Sequence, residues 1–570
     1  MADTAVATRR GFAAYAGRDQ PVRVDTWGLG PWPPDQALLL SATARRHEQD
    51  IDAAQVHRWC AARRGAQEAT GQAALAQMLP TFAAAARMDG GGIRVVTDPL
   101  GFRQVFHGSG NGAAAVSTSS RACARALGRG LDLEAVAVQS VLGWQLGERS
   151  LYAGIRTLGP GGTATLSPGG SLEVGGDPPP IGPPISLEDA VDRVAQLLRT
   201  FLAAYLEDHP EAGLQLTGGQ DSRLLLSAVP PPLRRGLRVV TLGVAGEADL
   251  DIAAELAAHF GMRHEVLTFD GLEDVEPARA YALCLEAAHR LDYSADPLAR
   301  AALTYAESRS EPGPRISGLG GEVARGFYYL GPPTGAAVSE RRARRLARWR
   351  MFVNEATPAQ ALREPFASWA RAVATDAVVE ALTGTGRGWM DATDDLYLLH
   401  RMHRWGGVTE TAVCLDRPVV NPMLDDRFIA IARALSPRDK RGSRFLSRLQ
   451  VALDPELAAR PMDGRPPPST YARASVANTA RQSAATLRKA RHKVVQRVRR
   501  ENRPPAGGEL LAAKVVEHWR AEPAVLEPVL DLDLVHPDWI GRVLEGDSVP
   551  PTSAVALLVT LSAALDDSPA

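Results

Sequence analysis

Between residues 214 and 269 the hydrophobic pattern changes its period repeatedly, and that alternation constrains the fold more than any other feature. LQLT (214–217) reads as a short buried strand and LLLSAV as the start of a helix. LRVVTLGV (237–244) reads as a strand, DLDIAAELAAHFG (249–261) as a helix ended by Gly261, and HEVLTF (264–269) as a third strand. Strand, helix, strand, helix, strand implies a parallel sheet with right-handed crossovers and helices on its faces. The predicted class is therefore α/β.

A second feature divides the chain. GGDPPPIGPPIS (175–186) holds five prolines and three glycines in twelve positions, which forbids a helix or a central strand. Just after it Ser186 offers an N-cap hydroxyl with Asp189 three residues on, and Val191, Val194, Leu198, Phe201, Leu202 and Tyr205 recur at helical spacing. We expect a first domain over 1–176, a linker over 177–186 and a second domain over 187–570. Upstream, GGIRVVTD (91–98), AAAVSTS (113–119) and TATLSPGGSLEV (163–174) read as strands with glycine turns, and AALAQMLPTFAAAA (73–86) as a helical run, giving an α+β half. After about residue 335 the pattern is mostly helical.

The chain of 570 residues is 45% hydrophobic and 23% charged, which exceeds what one core usually holds and is the profile of a folded protein. A net charge of −1 gives no general attraction to nucleic acid or anionic membrane, so neither is an expected partner. Cys60, Cys123, Cys284 and Cys414 lie far apart with no CxxC pair, which argues against a zinc site or a disulfide framework and fits buried thiols in a reducing compartment. No apolar run reaches the roughly 18 residues that span a bilayer, and the N-terminus lacks a secretory apolar core, so a cytoplasmic location is expected.

Ligands of open parallel sheets collect beyond the carboxyl ends of the strands. Thr217-Gly218-Gly219-Gln220-Asp221-Ser222 is such a loop. Its two glycines free the backbone to bring N–H groups to an anion, and the helix behind it adds the positive end of its dipole. Thr217 and Ser222 add hydroxyls. Asp221 would repel a phosphate unless a cation bridged them, and Mg²⁺ is usually held by one or two carboxylates plus phosphate oxygens. No GK[ST] follows, so this is not a Walker loop; a plain turn capped by Asp221 is the other reading.

TGGQDSR resembles the SGGxDS pyrophosphate loop of ATP pyrophosphatases, the family of asparagine synthetase, β-lactam synthetase, lasso-peptide cyclases and argininosuccinate synthetase. About 100 residues on, PRISGLGGEVARGFYYLG (314–331) resembles the LSGxGxDExFGGY segment of asparagine synthetases. EADLDIAAELAAHFGMRHEVL and NPMLDDRFIAIARALSPRDK (421–440) resemble further stretches of that family. VTDPLGFRQVFH (96–107) and RSLYAGIRTLGPGGTATL (149–166) resemble class II glutamine amidotransferase domains, whose fold is Ntn-like.

The resemblance implies that a carboxylate attacks the α-phosphate of ATP, pyrophosphate leaves, and an amine displaces AMP to form an amide. It assigns Leu216, Thr217, Gly218, Gly219, Asp221, Ser222, Val244, Ser317 and Gly318 to ATP, Asp221 and Glu322 to Mg²⁺, and Asp221, Glu322 and Arg444 to catalysis. Where glutamine-using members carry Met-Cys this chain reads Met1-Ala2, so no glutamine hydrolysis is expected. Leu319 stands where asparagine synthetases place an acid, and Arg444 where they place a lysine. Arginine keeps the charge but exchanges a proton poorly.

These departures point toward lasso-peptide cyclases, which join a precursor peptide's own amine to a carboxylate, or toward related natural-product synthetases. A relative using free ammonia or another amine, an enzyme adenylating RNA for thiolation, and a non-catalytic nucleotide- or peptide-binding scaffold stay open. His264, the RMHRWGG segment (401–407) and the basic stretch 481–500 are candidate contacts that can equally be structural.

Overall fold

The computed structural model describes residues 10–472 and 507–566, apart from 31, 34–35, 42–43, 62–64, 244–247, 330–334, 354 and 463–465. Ala2, Val244 and the basic stretch 481–500 therefore lie outside the described residues.

The upstream half holds two five-stranded antiparallel sheets. One runs, in spatial order, Arg156–Thr157, Phe106–Gly110, Ala113–Ser117, Gly11–Ala16 and Arg23–Trp27; the other Ser171–Gly176, Gly162–Ser167, Ile93–Thr97, Phe82–Arg87 and Leu38–Ser41. Their inner faces pack together through alternating residues: Phe12, Ala14, Ala114 and Val116 meet Ala83, Ala85, Val95 and Leu166. Buried Asp98 ties the turn after Ile93–Thr97 by accepting from the backbone N–H of Phe82, Leu100, Phe102 and Arg103 at 2.8–3.3 Å.

One expectation fails here. Residues 73–86 are not one helix: the helix Gly65–Ala76 stops, and Phe82–Arg87 is a central strand. Pro80 interrupts the run. Beyond it the small alanines fit between two paired strands and are covered on both faces, so tertiary burial outweighs alanine's helix propensity.

Downstream of 177–186 the helix Leu187–Asp208 begins at Ser186, whose Oγ accepts from Asp189 N. The parallel sheet follows in the order Arg263–Leu267, Arg238–Leu242, Gly213–Gln215, Arg315–Ile316, Val419–Val420, every pairing parallel. Helices Gln220–Ala228 and Ala248–Phe260 connect its first three members, as the alternating pattern predicts. A Cβ at Gly213 would lie 2.6 Å from Arg238 Nε of the adjacent strand, so a side chain there would displace that guanidinium. Beyond residue 335 the described chain is helical apart from Val419–Val420.

The two halves meet along the segment Leu396–Gly406 and the helix Gly407–Cys414 that continues it. Gln104 donates to the His403 carbonyl, Arg404 to the Arg149 carbonyl and Thr411 to the Phe102 carbonyl. Gly407 lies so close to Phe102 that a Cβ would come within 2.7 Å of its Cα. His403 and Arg404 are thus packing residues between the halves. Among the described residues no helix is long and apolar enough to cross a membrane.

Candidate active site

The strand Gly213–Gln215 ends sooner than the pattern predicts, and the chain turns through Thr217-Gly218-Gly219 into the helix Gln220–Ala228. The Thr217 and Ser222 hydroxyls close this loop on themselves, 3.0 Å apart, with Gly219 N donating to Thr217 Oγ1 and Thr217 N to Ser222 Oγ. Gln220 reaches Ser447, and buried Arg223 donates to the carbonyls of Leu457 and Arg460, fastening the loop's helix to the helices behind it.

The second loop leaves the adjacent strand Arg315–Ile316. Ser317 N donates to the Val420 carbonyl, and a short 3-10 turn Gly321–Ala324 follows. The two loops touch with no room to spare: a Cβ on Gly318 would lie 3.0 Å from Ser222 N, and one on Gly321 only 2.3 Å from Asp221 Oδ1. Glycine at these positions is a demand of close approach. Asp221 and Glu322 are thereby brought together.

Between the two acids lies Arg325. Its Nη2 is 2.7 Å from Glu322 Oε1 and 3.2 Å from Asp221 Oδ2. Burial works against its charge, but Asp221 and then Glu322 outweigh burial and hold it more basic than an ordinary arginine. Glu322 Oε2 is buried with no hydrogen-bond partner among the described residues, a lone pair that suits a cation. Two carboxylates side by side, one with a spare oxygen, fit a divalent ion completed by phosphate oxygens.

Thr217, Asp221, Ser222, Ser317, Gly318, Leu319 and Glu322 line a cavity of about 340 Å³, which continues along the sheet face past Gln215, Val240, Leu242 and Leu267. At its far end Glu307 pairs with both Arg300 and Arg315, and Glu410, buried and therefore less acidic than usual, accepts from Asn421. A roomier cavity of about 750 Å³ lies elsewhere, around 182–200 and 427–434, and contains neither loop. His47, Asp425 and Asp426 also cluster, but Asp425 accepts from the backbone N, Nε and Nη2 of Arg427 and His47 Nε2 is 2.9 Å from Asp426. Those contacts already engage all three residues.

The remaining expected residues fall differently. Leu216 is fully buried, its backbone engaged by Val240 and Thr241, and its side chain joins the core on the opposite face of the sheet. Arg444 pairs with Asp439 at 2.9 Å and does not line the cavity. His264 meets Thr241 Oγ1.

Three features escape the sequence reading. Arg325 stands in the segment 314–331 that resembles LSGxGxDExFGGY, but its contact with the two acids could not be read there. Phe327 and Tyr397 stack with centroids 4.6 Å apart, and Arg401 lies over Phe327 and Trp405, making an aromatic wall beside the acids. Buried Lys440 donates to Asp394, which also accepts from Tyr329. Several of these residues stand in segments already singled out (314–331, 401–407, 421–440), but only the fold shows which of them meet.

A parallel sheet with a glycine-rich loop after the strand Gly213–Gln215, and an acid-bearing loop pressed against it, defines an α/β protein. Residues 193–324 match the family model for asparagine synthase, and that segment is similar to this family. No curated protein matches the sequence. Among solved structures, glutamine phosphoribosylpyrophosphate amidotransferase from Bacillus subtilis, complexed with ADP and GMP, aligns at 11% identity over 46% of this chain and 60% of that one, with a TM-score of 0.20. A structure described as the allosteric regulatory enzyme of purine biosynthesis aligns at 11% identity over 46% and 76%, with a TM-score of 0.19. Likeness at that level says nothing about activity.

Proposed function

We propose that the protein is an ATP-dependent, AMP-forming carbon–nitrogen ligase. A carboxylate oxygen of the acyl substrate attacks the α-phosphorus of ATP, the bond to pyrophosphate breaks, and an acyl-adenylate forms. An amine nitrogen then attacks the acyl carbon, the C–N bond forms, AMP leaves and the amine proton is lost. The observation that carries this reading is the convergence of Asp221 and Glu322 from two loops packed glycine against backbone, with the spare oxygen of Glu322 beside them.

Asp221 and Glu322 would hold Mg²⁺, which supplies charge neutralisation at the phosphates. The N–H groups of 217–222 and the positive end of the Gln220–Ala228 helix would receive pyrophosphate, and Ser317 and Gly318 would face the adenosine. Catalysis of this kind is mostly positioning and charge stabilisation, which a rigid two-loop site suits.

Glutamine is not the proposed amine source. Burial raises the thiol of Cys60 to about 12, and it raises Cys123, Cys284 and Cys414 as well. Buried thiols shifted in that direction are poor nucleophiles near neutral pH, which supports an amine source other than glutamine. Leu319 lines the cavity in place of an acid, which disfavours an amino-acid substrate recognised through its ammonium. A lasso-peptide macrolactam cyclase or a related natural-product synthetase is the specific reading; a relative using free ammonia or another amine is the alternative.

A scaffold that binds nucleotide or peptide without turnover is a separate reading, favoured by Arg325 between the acids and by Asp439 holding Arg444. ATP–pyrophosphate exchange across a panel of carboxylates and Asp- or Glu-bearing peptides separates the two. Mg²⁺-dependent exchange that is lost in Asp221→Ala supports the ligase; ATP binding without exchange for every substrate supports the scaffold.

A further inference from the structure

The acid pair of this site comes with its own cation. Arg325 follows directly on the 3-10 turn that carries Glu322, and its N–H donates to the Glu322 carbonyl. Its side chain is therefore delivered to the acids by the same short turn, one residue before Gly326 reverses the backbone at φ +64°. The guanidinium is four-fifths buried and contacts both acids through one nitrogen. Asp221 and Glu322 contribute −2 and Arg325 +1, so a metal ion approaching the nucleotide-free site meets one net negative charge and a cation already in its place.

We infer that Arg325 is a resident counter-cation that competes with the metal for Asp221 and Glu322, so that the metal enters only with the nucleotide, whose phosphates supply the negative charge the guanidinium cancels. This rests on the reading of the two acids as metal ligands. Arg325 is a positioning residue here: it acts on the acids, holding them in one place until the nucleotide arrives. A simple aliphatic side chain at 325 would leave the two carboxylates facing each other and open to a free divalent ion.

The test uses the full chain without nucleotide and Mn²⁺ as probe, with free Mn²⁺ read by electron paramagnetic resonance. Arg325→Met should bind Mn²⁺ at least about tenfold more tightly than the unaltered protein, the scale on which a charge at this distance shifts a proton affinity. Arg325→Lys, which keeps the charge, should stay close to the unaltered protein. Asp221→Asn added to Arg325→Met should abolish the gain. If Arg325→Met fails to fold by circular dichroism, Arg325→Gln takes its place.

Mn²⁺ affinity unchanged on removing the guanidinium, or a gain that survives Asp221→Asn, would overturn the inference. Exchange activity in the unaltered protein with no gain in Mn²⁺ affinity rejects the inference alone. A gain in affinity with no exchange for any carboxylate rejects the ligase reading and leaves the competition between guanidinium and metal standing.

Discussion

Asp221 and Glu322, far apart in sequence, grip one nitrogen of Arg325 at 3.2 and 2.7 Å. If the two acids act as a pair, removing either should be equivalent. Asp221→Asn and Glu322→Gln are each expected to lower ATP–pyrophosphate exchange by about a hundredfold or more, the scale of losing one preorganised charge-stabilising group, with circular dichroism unchanged. A loss confined to one of the two would show that they do not share a role.

The glycine contacts give an independent test of the loop geometry. A methyl at 321 would strike the Asp221 carboxylate, and one at 318 would press on the backbone of Ser222. Gly321→Ala should abolish nucleotide binding in calorimetry while costing about 1–3 kcal/mol of stability, the usual cost of overpacking. Gly335→Ala, where a Cβ meets nothing within 4 Å, is the matched control.

Much of this was legible in the chain because it is local. The period changes between 214 and 269 encode the parallel sheet, and Ser186 with Asp189 encodes the start of the long helix. Thr217 to Ser222 and Ser317 to Glu322 are contiguous motifs, so their residues could be named; of them Thr217, Asp221, Ser222, Ser317, Gly318, Leu319 and Glu322 line one cavity, and Gly218 and Gly219 do not. Residues 73–86 misled because alanine's helix preference is local whereas the pairing that makes 82–87 a strand is not. Tyr397 carried no spacing to read, and although Arg325 and Lys440 stand in segments that resemble the family (314–331 and 421–440), their partners could not be read because those lie in other segments. Arg444 was named by motif position, yet its guanidinium is held by Asp439.

Lys440 is buried at 1% exposure, with its ammonium 2.7 Å from Asp394. Burial raises the Asp394 carboxyl pKa, and Lys440 opposes that shift. Lys440→Met should destabilise the protein by about 3–5 kcal/mol, because it strands a buried carboxylate. The urea midpoint measures this, and adding Asp394→Asn should recover part of the loss.

Histidines at the junction of the halves predict a pH dependence. Burial, reinforced by Arg404 and His400, holds His403 well below its usual pKa, and burial brings His400 to about 4. In the unfolded chain both take a proton near pH 6.5, while in the folded chain they resist it. Their contribution is fully present above about pH 6.5 and is lost as the pH falls through the folded values, at about 1.4 kcal/mol per pH unit for each proton. The urea midpoint should fall between pH 7 and pH 5, and His403→Gln should flatten that fall; identical slopes would remove His403 from the account.

The central claim is that this site joins a carboxylate to AMP. Incubating the full chain with ATP, Mg²⁺, labelled pyrophosphate and a panel of carboxylates that includes Asp- and Glu-bearing peptides tests it most directly. The account predicts label entering ATP only when an accepted carboxylate and Mg²⁺ are both present, and none with Asp221→Ala. Label incorporation that persists in Asp221→Ala, or no incorporation with any carboxylate while ATP is bound, would contradict it.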